Sequence, residues 1–332
     1  MTALQRVFFP LAFLGQHGTI AIAASLLVGM AVPFLAATLR PWLDEAILTL
    51  LTLAFLRIGF RALGSELKKP LPVLLATAVA LIALPALGLG LGAAFGLNQS
   101  HPEIYLALFI ALAVPPITAV PIFAGLLRLP GAVALAFLIL AMAATPLTAW
   151  LHASVFFPAG SLPLDPSSIG LRLAGFLVGA AALAFAIQKV AGLPRLDKIR
   201  THLDGINVLA MLVFAIAVMD GVGPAMVQRP GLVAILFVAT FALALGQMLL
   251  MRLCLFFMEA QNAISVSLAT GLRNMGLMVA SLGMAIPETT WLWFAVGQFP
   301  IFFMPWLIEI ARKRGLSKEP KTSVQDSEKI AR

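Results

Sequence analysis

The sequence predicts an all-α polytopic membrane protein with ten transmembrane helices in two inverted five-helix repeats. Of its 332 residues, 61% are hydrophobic and 11% are charged, whereas soluble domains are about 45–50% apolar and about 25% charged. Apolar segments long enough to span a bilayer recur along the chain, and lysines and arginines collect in alternate connections between them. This composition excludes a soluble enzyme, a nucleic-acid-binding domain and a disordered protein.

Ten apolar segments lie between polar stretches or stretches that contain Pro and Gly. Residues 1–17 are predicted to be a cytoplasmic amphipathic lead-in, because Pro10 interrupts their short apolar run and no small-x-small cleavage site follows. Residues 312–332 are polar and rich in lysine, which predicts a disordered cytoplasmic tail. The predicted spans are 18–38, 43–62, 70–96, 103–126, 131–157, 168–190, 204–224, 231–256, 259–286 and 289–311.

The positive charges predict the orientation of these spans. With the N-terminus in the cytoplasm, 18 of the 22 lysines and arginines lie in cytoplasmic connections and ends. Only Arg40, Arg172 and Arg229 lie on the other side, and Arg273 lies within the ninth span. The excess of cytoplasmic positive charge predicts a multi-pass protein of the inner membrane with both termini in the cytoplasm.

The two halves of the chain, residues 18–157 and 168–311, each contain five predicted spans of similar length. Because five is an odd number, the second half is inverted relative to the first. The fourth span contains Pro115, Pro116 and Pro121, which a continuous helix does not accommodate. The ninth span carries Gly271 and a charged residue at mid-membrane depth. Paired interruptions in matching spans of inverted halves indicate the binding site of a secondary transporter.

Arg273 is the strongest candidate for a functional residue. A charge at the centre of a bilayer costs about 2.5–3.5 kcal/mol on insertion scales, so such a residue faces a cavity or a partner. Its guanidinium either binds an anionic substrate or replaces a coupling cation. The alternatives are a structural ion pair with Glu259 or Asp220, or a side chain that extends to the membrane surface.

Further candidates flank the two interruptions. Asn274 is predicted to bind the solute or to satisfy freed backbone groups, and Thr118 has the only side-chain donor in the proline-rich break. Thr270 and Gly271 fit either a substrate site or helix packing through small residues. A polar band lies at the junction of the eighth and ninth spans, and Glu259 within it is interpreted as solvated. Its members are Gln247, Glu259, Gln261 and Asn262.

The sequence gives no reason to expect a metal, a cofactor or an enzymatic reaction. The four histidines do not cluster, and Cys254 is the single cysteine. There is no Walker motif for ATP-driven transport, and no catalytic set of His, Glu, Asp, Ser or Lys lies at matched depth. The expected partners are the lipid bilayer and a small organic anion.

The chain resembles the bile acid:sodium symporter family over most of residues 18–311. The resemblance depends on Pro41-Trp42-Leu43, Pro85, the proline-rich break, Thr145-Pro146-Leu147 and the run Gly271-Leu272-Arg273-Asn274. It implies ten helices in two inverted repeats. It also implies a core domain with two crossing broken helices, a smaller panel domain, and alternating access through relative motion of the two domains.

The chain departs from this family at the positions that hold sodium. Sodium-using members have the run Glu-x-Gly-x-Gln-Asn in the ninth helix, where this sequence has Ala269 for the Glu and Arg273 for the Gln. A related branch that extrudes arsenite has a Cys in the fourth helix, where Val114 stands here. The other polar sodium positions of the family fall on Val120, Pro121, Ala134 and Leu138, and near Ala80. The resemblance therefore implies the fold without the usual sodium coupling.

The sequence thus predicts a secondary-active or facilitative transporter of a small organic anion. Two alternatives stay open at this point. One is a sodium-coupled symporter with a rearranged ion site. The other is a membrane sensor or scaffold that has kept a transporter fold but does not transport.

Overall fold

The computed structural model describes residues 18–57, 70–158, 160–283 and 286–316. Within these ranges the secondary structure is helical and contains no strand. The predicted lead-in, residues 1–17, and the tail from residue 317 onward lie outside the described residues. The last helix continues through Leu316, so the predicted start of the tail at Arg312 falls within a helix.

The helices follow the apolar segments of the sequence closely. Two short helices, Leu97–Ser100 and Leu193–Lys198, lie in connections. The others are α1 (Gly18–Ala31), α2 (Pro33–Arg57), α3 (Leu71–Ala94), α4 (Pro102–Leu112), α5 (Val120–Leu126), α6 (Gly131–Phe156), α7 (Pro166–Ala191), α8 (Arg200–Val218), α9 (Val222–Gln228), α10 (Pro230–Cys254), α11 (Ala260–Gly271), α12 (Met275–Leu282), α13 (Glu288–Val296) and α14 (Gln298–Leu316).

Several of these helices have the length and apolar composition of membrane spans. Five pass both criteria within the described residues when α8 and α9 are taken as one helix, and a sixth is added if α1 and α2 form one bent span. The protein is therefore an all-α, multi-pass membrane protein.

The first bend lies earlier in the chain than the sequence predicts. The prediction places a break between residues 38 and 43. In the structure α2 continues through this stretch, in which Arg40–Trp42 form a short 3₁₀ turn. Instead, α1 and α2 meet at an angle of 106° around Val32. Pro33 disfavours helical backbone at the residue before it, and Val32 accordingly has φ −124° and ψ 75°. Proline then fits the first turn of α2, where no N–H is needed.

Two further interruptions face each other in the middle of the molecule. Residues 113–119, between α4 and α5, are not helical, and neither are residues 272–274, between α11 and α12. The N–H of Ile117 donates to the carbonyl of Leu272 at 2.8 Å, and the N–H of Asn274 donates to the carbonyl of Pro115 at 2.8 Å. We call these two stretches together the crossover. Each stretch satisfies backbone groups of the other, as unwound backbone away from water requires.

The crossover lies between two clusters of buried apolar side chains. One cluster surrounds α4, α12 and α13, with Tyr105, Phe109 and Phe294 among its largest members. The other joins α3, α5, α6, α10 and α11. Ile117, within the crossover, packs against both clusters. Dense packing on both sides therefore fixes the position of the unwound backbone.

Candidate functional site

Arg273 is buried at the crossover, with 2% of its surface exposed. Its Nε donates to Oε1 of Gln247 at 2.8 Å, and its Nη1 donates to the carbonyl of Val114 at 2.8 Å. Its Nη2 donates to the carbonyl of Ala80 at 2.9 Å. The guanidinium thus joins α3, the break after α4, and α10 through three neutral oxygen atoms.

Local backbone geometry explains why the carbonyl of Ala80 is free to accept this hydrogen bond. Residues Val79–Ala83 form a π-helical turn, in which the N–H of Leu84 bonds to the carbonyl of Val79. The next hydrogen bond of that pattern would join Ala80 to Pro85, which has no N–H. The carbonyl of Ala80 therefore lacks a partner within its own helix, and Arg273 supplies one.

Arg273 has no carboxylate partner among the residues that the structure describes. Asp220, one predicted partner, pairs with Arg40 at 2.8 Å. Glu259, the other, accepts a hydrogen bond from Asn262. Neither the predicted ion pair nor a side chain extended to the membrane surface is found, because the guanidinium ends among buried oxygens.

A cavity of about 260 Å³ lies beside the crossover. It lies between α2 and α8 on one side and α5, α6 and α14 on the other, and α12, which packs against α2 and α8, also borders it. Its walls are mainly apolar, and its polar residues are few, as in many small-molecule sites. The polar residues of the lining are Arg57, Thr118, Asn207, Arg273, Asn274 and Gln298.

The predicted site residues divide into two groups. Arg273, Asn274, Thr118 and Pro121 line the cavity. Pro115, Pro116, Thr270 and Gly271 do not. Pro115 and Pro116 are buried in the crossover, and Pro116 lies opposite Arg273 there.

Thr270 and Gly271 pack against protein and do not face the cavity. The Thr270 hydroxyl is fully buried and donates to the carbonyl of Val266 at 2.9 Å within its own helix. A Cβ on Gly271 would collide with the side chain of Met248 and would lie 2.7 Å from the carbonyl oxygen of Ala244. The absence of a side chain at Gly271 therefore allows α11 to approach α10 closely.

Ion pairs join α2 and α8 at both ends. Arg57 bonds to Asp204 at 2.7 Å beside the cavity, and both side chains are partly exposed. At the opposite end, Arg40 bonds to Asp220 at 2.8 Å, and Cζ of Arg40 lies 4.1 Å from the ring centroid of Trp291.

The second of these ion pairs also contacts α13. The indole N–H of Trp291 donates to the backbone carbonyl of Asp220 at 2.8 Å. We call Arg40, Asp220 and Trp291 the α13 contact. The helix pair α2–α8 therefore contacts α13 at one end, while at the other end the cavity lies between the pair and α5, α6 and α14.

Several residues of this site are not among those that the sequence predicts. Asn207 and Gln298 line the cavity, and each is a polar residue within a predicted apolar span, which is a signal the sequence does contain. The resemblance marks Val114 and the neighbourhood of Ala80 as positions that have lost a side-chain ligand, but residue type does not reveal that both contribute backbone carbonyls. Pro85, five positions after Ala80, is the sequence signal that this carbonyl lacks an intrahelical partner.

Comparison of the chain with known protein families and with curated proteins found no match. The geometry of the crossover and the cavity is therefore the basis for inferring a function.

Proposed function

We propose that this protein is a secondary-active or facilitative transporter that moves a small organic anion across the inner membrane by alternating access, without sodium coupling. One observation carries the proposal: a cavity of about 260 Å³ ends at two helix breaks that are joined by backbone hydrogen bonds. Unwound backbone at this depth is characteristic of transporter binding sites, where it lines a cavity between repeats.

The positions of the breaks support the proposed repeat. The break between α4 and α5 belongs to the first half of the chain, residues 18–157, and the break between α11 and α12 belongs to the second, residues 168–311. In the proposed arrangement these segments are the fourth and ninth of ten spans. The resemblance to the bile acid:sodium symporter family implies that the crossover belongs to the core domain. We assign the helix pair α2–α8 to the panel domain, because the cavity lies between this pair and α5, α6 and α14.

The cavity supports a solute with an apolar body and an anionic end. Most of its lining is apolar, including Ile47, Phe123 and Phe302. At the crossover end, Thr118 and Asn274 offer hydrogen-bonding groups, and Arg273 supplies positive charge. Positive charge in a site shielded from water attracts a carboxylate more strongly than the same charge in bulk water.

The bonds of Arg273 support transport without sodium. Unwound backbone carbonyls are typical sodium ligands in secondary transporters. Here the carbonyls of Ala80 and Val114 accept hydrogen bonds from the guanidinium. A fixed positive charge on these oxygens takes the place of a mobile cation and repels sodium from them.

Thermal unfolding of the purified protein tests this proposal directly. The melting temperature is measured in sodium and in potassium, with and without each of a panel of small carboxylates. We expect at least one carboxylate to raise it equally in both salts, because a ligand that binds only the folded state stabilises that state. The same carboxylate should then exchange across proteoliposome membranes in the absence of sodium.

Two other results would redirect the proposal. Stabilisation by sodium alone would indicate a sodium symporter with a rearranged ion site. Stabilisation by a carboxylate without any uptake or exchange in proteoliposomes would indicate a sensor or scaffold that binds the solute but does not move it.

A further inference from the structure

A second, much smaller void lies on another side of Arg273. It has a volume of about 20 Å³ and lies between α10 and the helices α13 and α14. Its polar side chains are Thr240, Gln247, Arg273 and Trp293. A buried water needs a void of about 10–15 Å³, so this one accommodates one water molecule or one monatomic ion. An organic carboxylate does not fit within it.

Three of the four polar side chains around this void have N–H groups that no acceptor among the described residues uses, whereas the Thr240 hydroxyl donates to the carbonyl of Phe237. Nε1 of Trp293 is buried and has no hydrogen-bond partner within the described part of the chain. Because Oε1 of Gln247 accepts from Arg273, the donating end of that amide is left for another partner. Arg273 has five N–H groups, and its bonds to protein oxygens account for three of them. A ligand that accepts several hydrogen bonds suits such a lining.

The charge of the site favours an anion over a water molecule. The three ion pairs of the described residues use Asp204, Asp220 and Glu288, and none includes Arg273. Arg273 is thus a buried positive charge that contacts only neutral oxygens. Burial of a charge without an opposite charge is costly in a protein interior. A small anion in the void compensates that charge, whereas a water molecule does not.

We propose that this void binds one small inorganic anion, of the size of chloride, against Arg273, Gln247 and Trp293. The site is separate from the cavity for the organic solute, although Arg273 borders both. It does not depend on the transport proposal, because it follows from the buried charge and the unpartnered indole alone.

The test is thermal unfolding of the full-length purified protein while chloride replaces gluconate at constant sodium concentration and ionic strength. We expect a saturable rise in melting temperature with chloride and a similar rise with bromide. Trp293→Phe keeps the ring but removes the N–H, and it should raise the half-saturating chloride concentration by about tenfold, as loss of a hydrogen bond to a charged group predicts. Arg273→Gln should remove the dependence on chloride.

A matched control separates this site from general anion binding at the surface. Trp150 is partly exposed and does not line the void, so Trp150→Phe should keep the chloride dependence of the wild type. Equal melting temperatures of the wild type in chloride and gluconate would overturn the proposal and leave water as the occupant. An unchanged chloride midpoint in Trp293→Phe would also overturn it.

Discussion

Arg273 is held by the side-chain oxygen of Gln247 and by two carbonyl oxygens that irregular backbone leaves without an intrahelical partner. Pro85 leaves the carbonyl of Ala80 free, and the break after α4 frees that of Val114. The arginine and the interruptions are visible in the sequence. Gln247 is visible too, as a polar residue of the predicted band. The other two partners are not, because they are backbone atoms from spans about 160 and 190 positions away in the chain. The resemblance to a sodium symporter family aligns Arg273 with a sodium ligand and predicts that a guanidinium takes the place of the cation. It does not predict which oxygen atoms accept the hydrogen bonds of this guanidinium.

Removal of the guanidinium should create a site for a soluble cation. In Arg273→Ala the carbonyls of Ala80 and Val114 lose their partner, at a cost of about 1–3 kcal/mol for each orphaned group. We expect a lower melting temperature that sodium or methylguanidinium partly restores. Neither cation should stabilise the wild type. Thermal unfolding with each chloride salt, against choline chloride, measures the difference.

A control arginine distinguishes this rescue from a general salt effect. Arg252 is exposed on α10, and Arg252→Ala should lose little stability and gain nothing from either cation. If sodium and methylguanidinium leave Arg273→Ala unchanged, the oxygens around Arg273 do not form a cation site, and the explanation for sodium-independent transport fails.

Two threonines near the crossover should differ in their effect on solute binding. Thr118 lines the cavity, whereas the Thr270 hydroxyl is buried and bonded within α11. Thr118→Val should weaken binding of the stabilising carboxylate by about tenfold, the usual effect of one lost hydrogen bond to a charged group. Thr270→Val should leave the affinity within about twofold of the wild type, since its hydroxyl serves its own helix. Titration calorimetry with each variant measures both affinities, and equal losses would contradict the assignment.

At the level of helices, the proline pattern predicts one interruption well and misplaces another. Pro115, Pro116 and Pro121 predict the break between α4 and α5, because three missing donors in seven residues leave a helix too few bonds. Pro41 suggests a similar break, but α2 accommodates this single proline in the 3₁₀ turn Arg40–Trp42 and continues past it. The bend forms at Val32 instead. Local sequence thus predicts where helical backbone is energetically unfavourable. Tertiary packing determines at which of these positions the chain bends.

The approach of α11 to α10 depends on one glycine. A Cβ on Gly271 would meet the carbonyl oxygen of Ala244 at 2.7 Å, and backbone does not move aside without shifting a helix. Gly271→Ala should therefore destabilise the protein by about 1–3 kcal/mol through overpacking. Because α11 leads into the crossover, solute affinity should fall as well. Thermal unfolding and carboxylate titration of the variant measure these two effects.

Gly246 provides the matched control on the facing helix. A Cβ on Gly246 would meet nothing within 4 Å, so Gly246→Ala should be neutral or slightly stabilising, as expected when alanine replaces glycine in a helix. If the Gly271→Ala variant is as stable as the Gly246→Ala variant, then close packing of α10 and α11 does not require a glycine at position 271.

At the level of the whole molecule, the two ends of the helix pair α2–α8 have different neighbours: the cavity lies at one end and α13 packs against the other. The Arg57–Asp204 pair lies at the cavity, whereas the α13 contact links the opposite end of this helix pair to Trp291. If the panel and core domains move relative to each other, one end closes as the other opens. The structure then corresponds to a state that faces the cytoplasm in the predicted orientation. The second state requires the α13 contact to separate.

Cysteine labelling in oriented membrane vesicles tests this motion. Cys254 is the single cysteine and is exposed, so Cys254→Ser gives a background without thiols. Met211→Cys, on α8, then places one thiol in the cavity wall. A membrane-impermeant maleimide should label it from the cytoplasmic side. Labelling from the other side should be slow, because the α13 contact closes that end.

Weakening the α13 contact should raise labelling from the slow side. Arg40→Gln removes the cation that Asp220 and Trp291 share, and Trp291→Phe removes the indole N–H that binds Asp220. Either change should shift the population toward the second state, since it removes bonds present only in the first. Arg57→Gln breaks the ion pair at the other end of the same helices and has no bond to α13, so it should not increase this labelling. If all three variants label alike, the α13 contact does not control access, and the two ends of the helix pair differ only in packing.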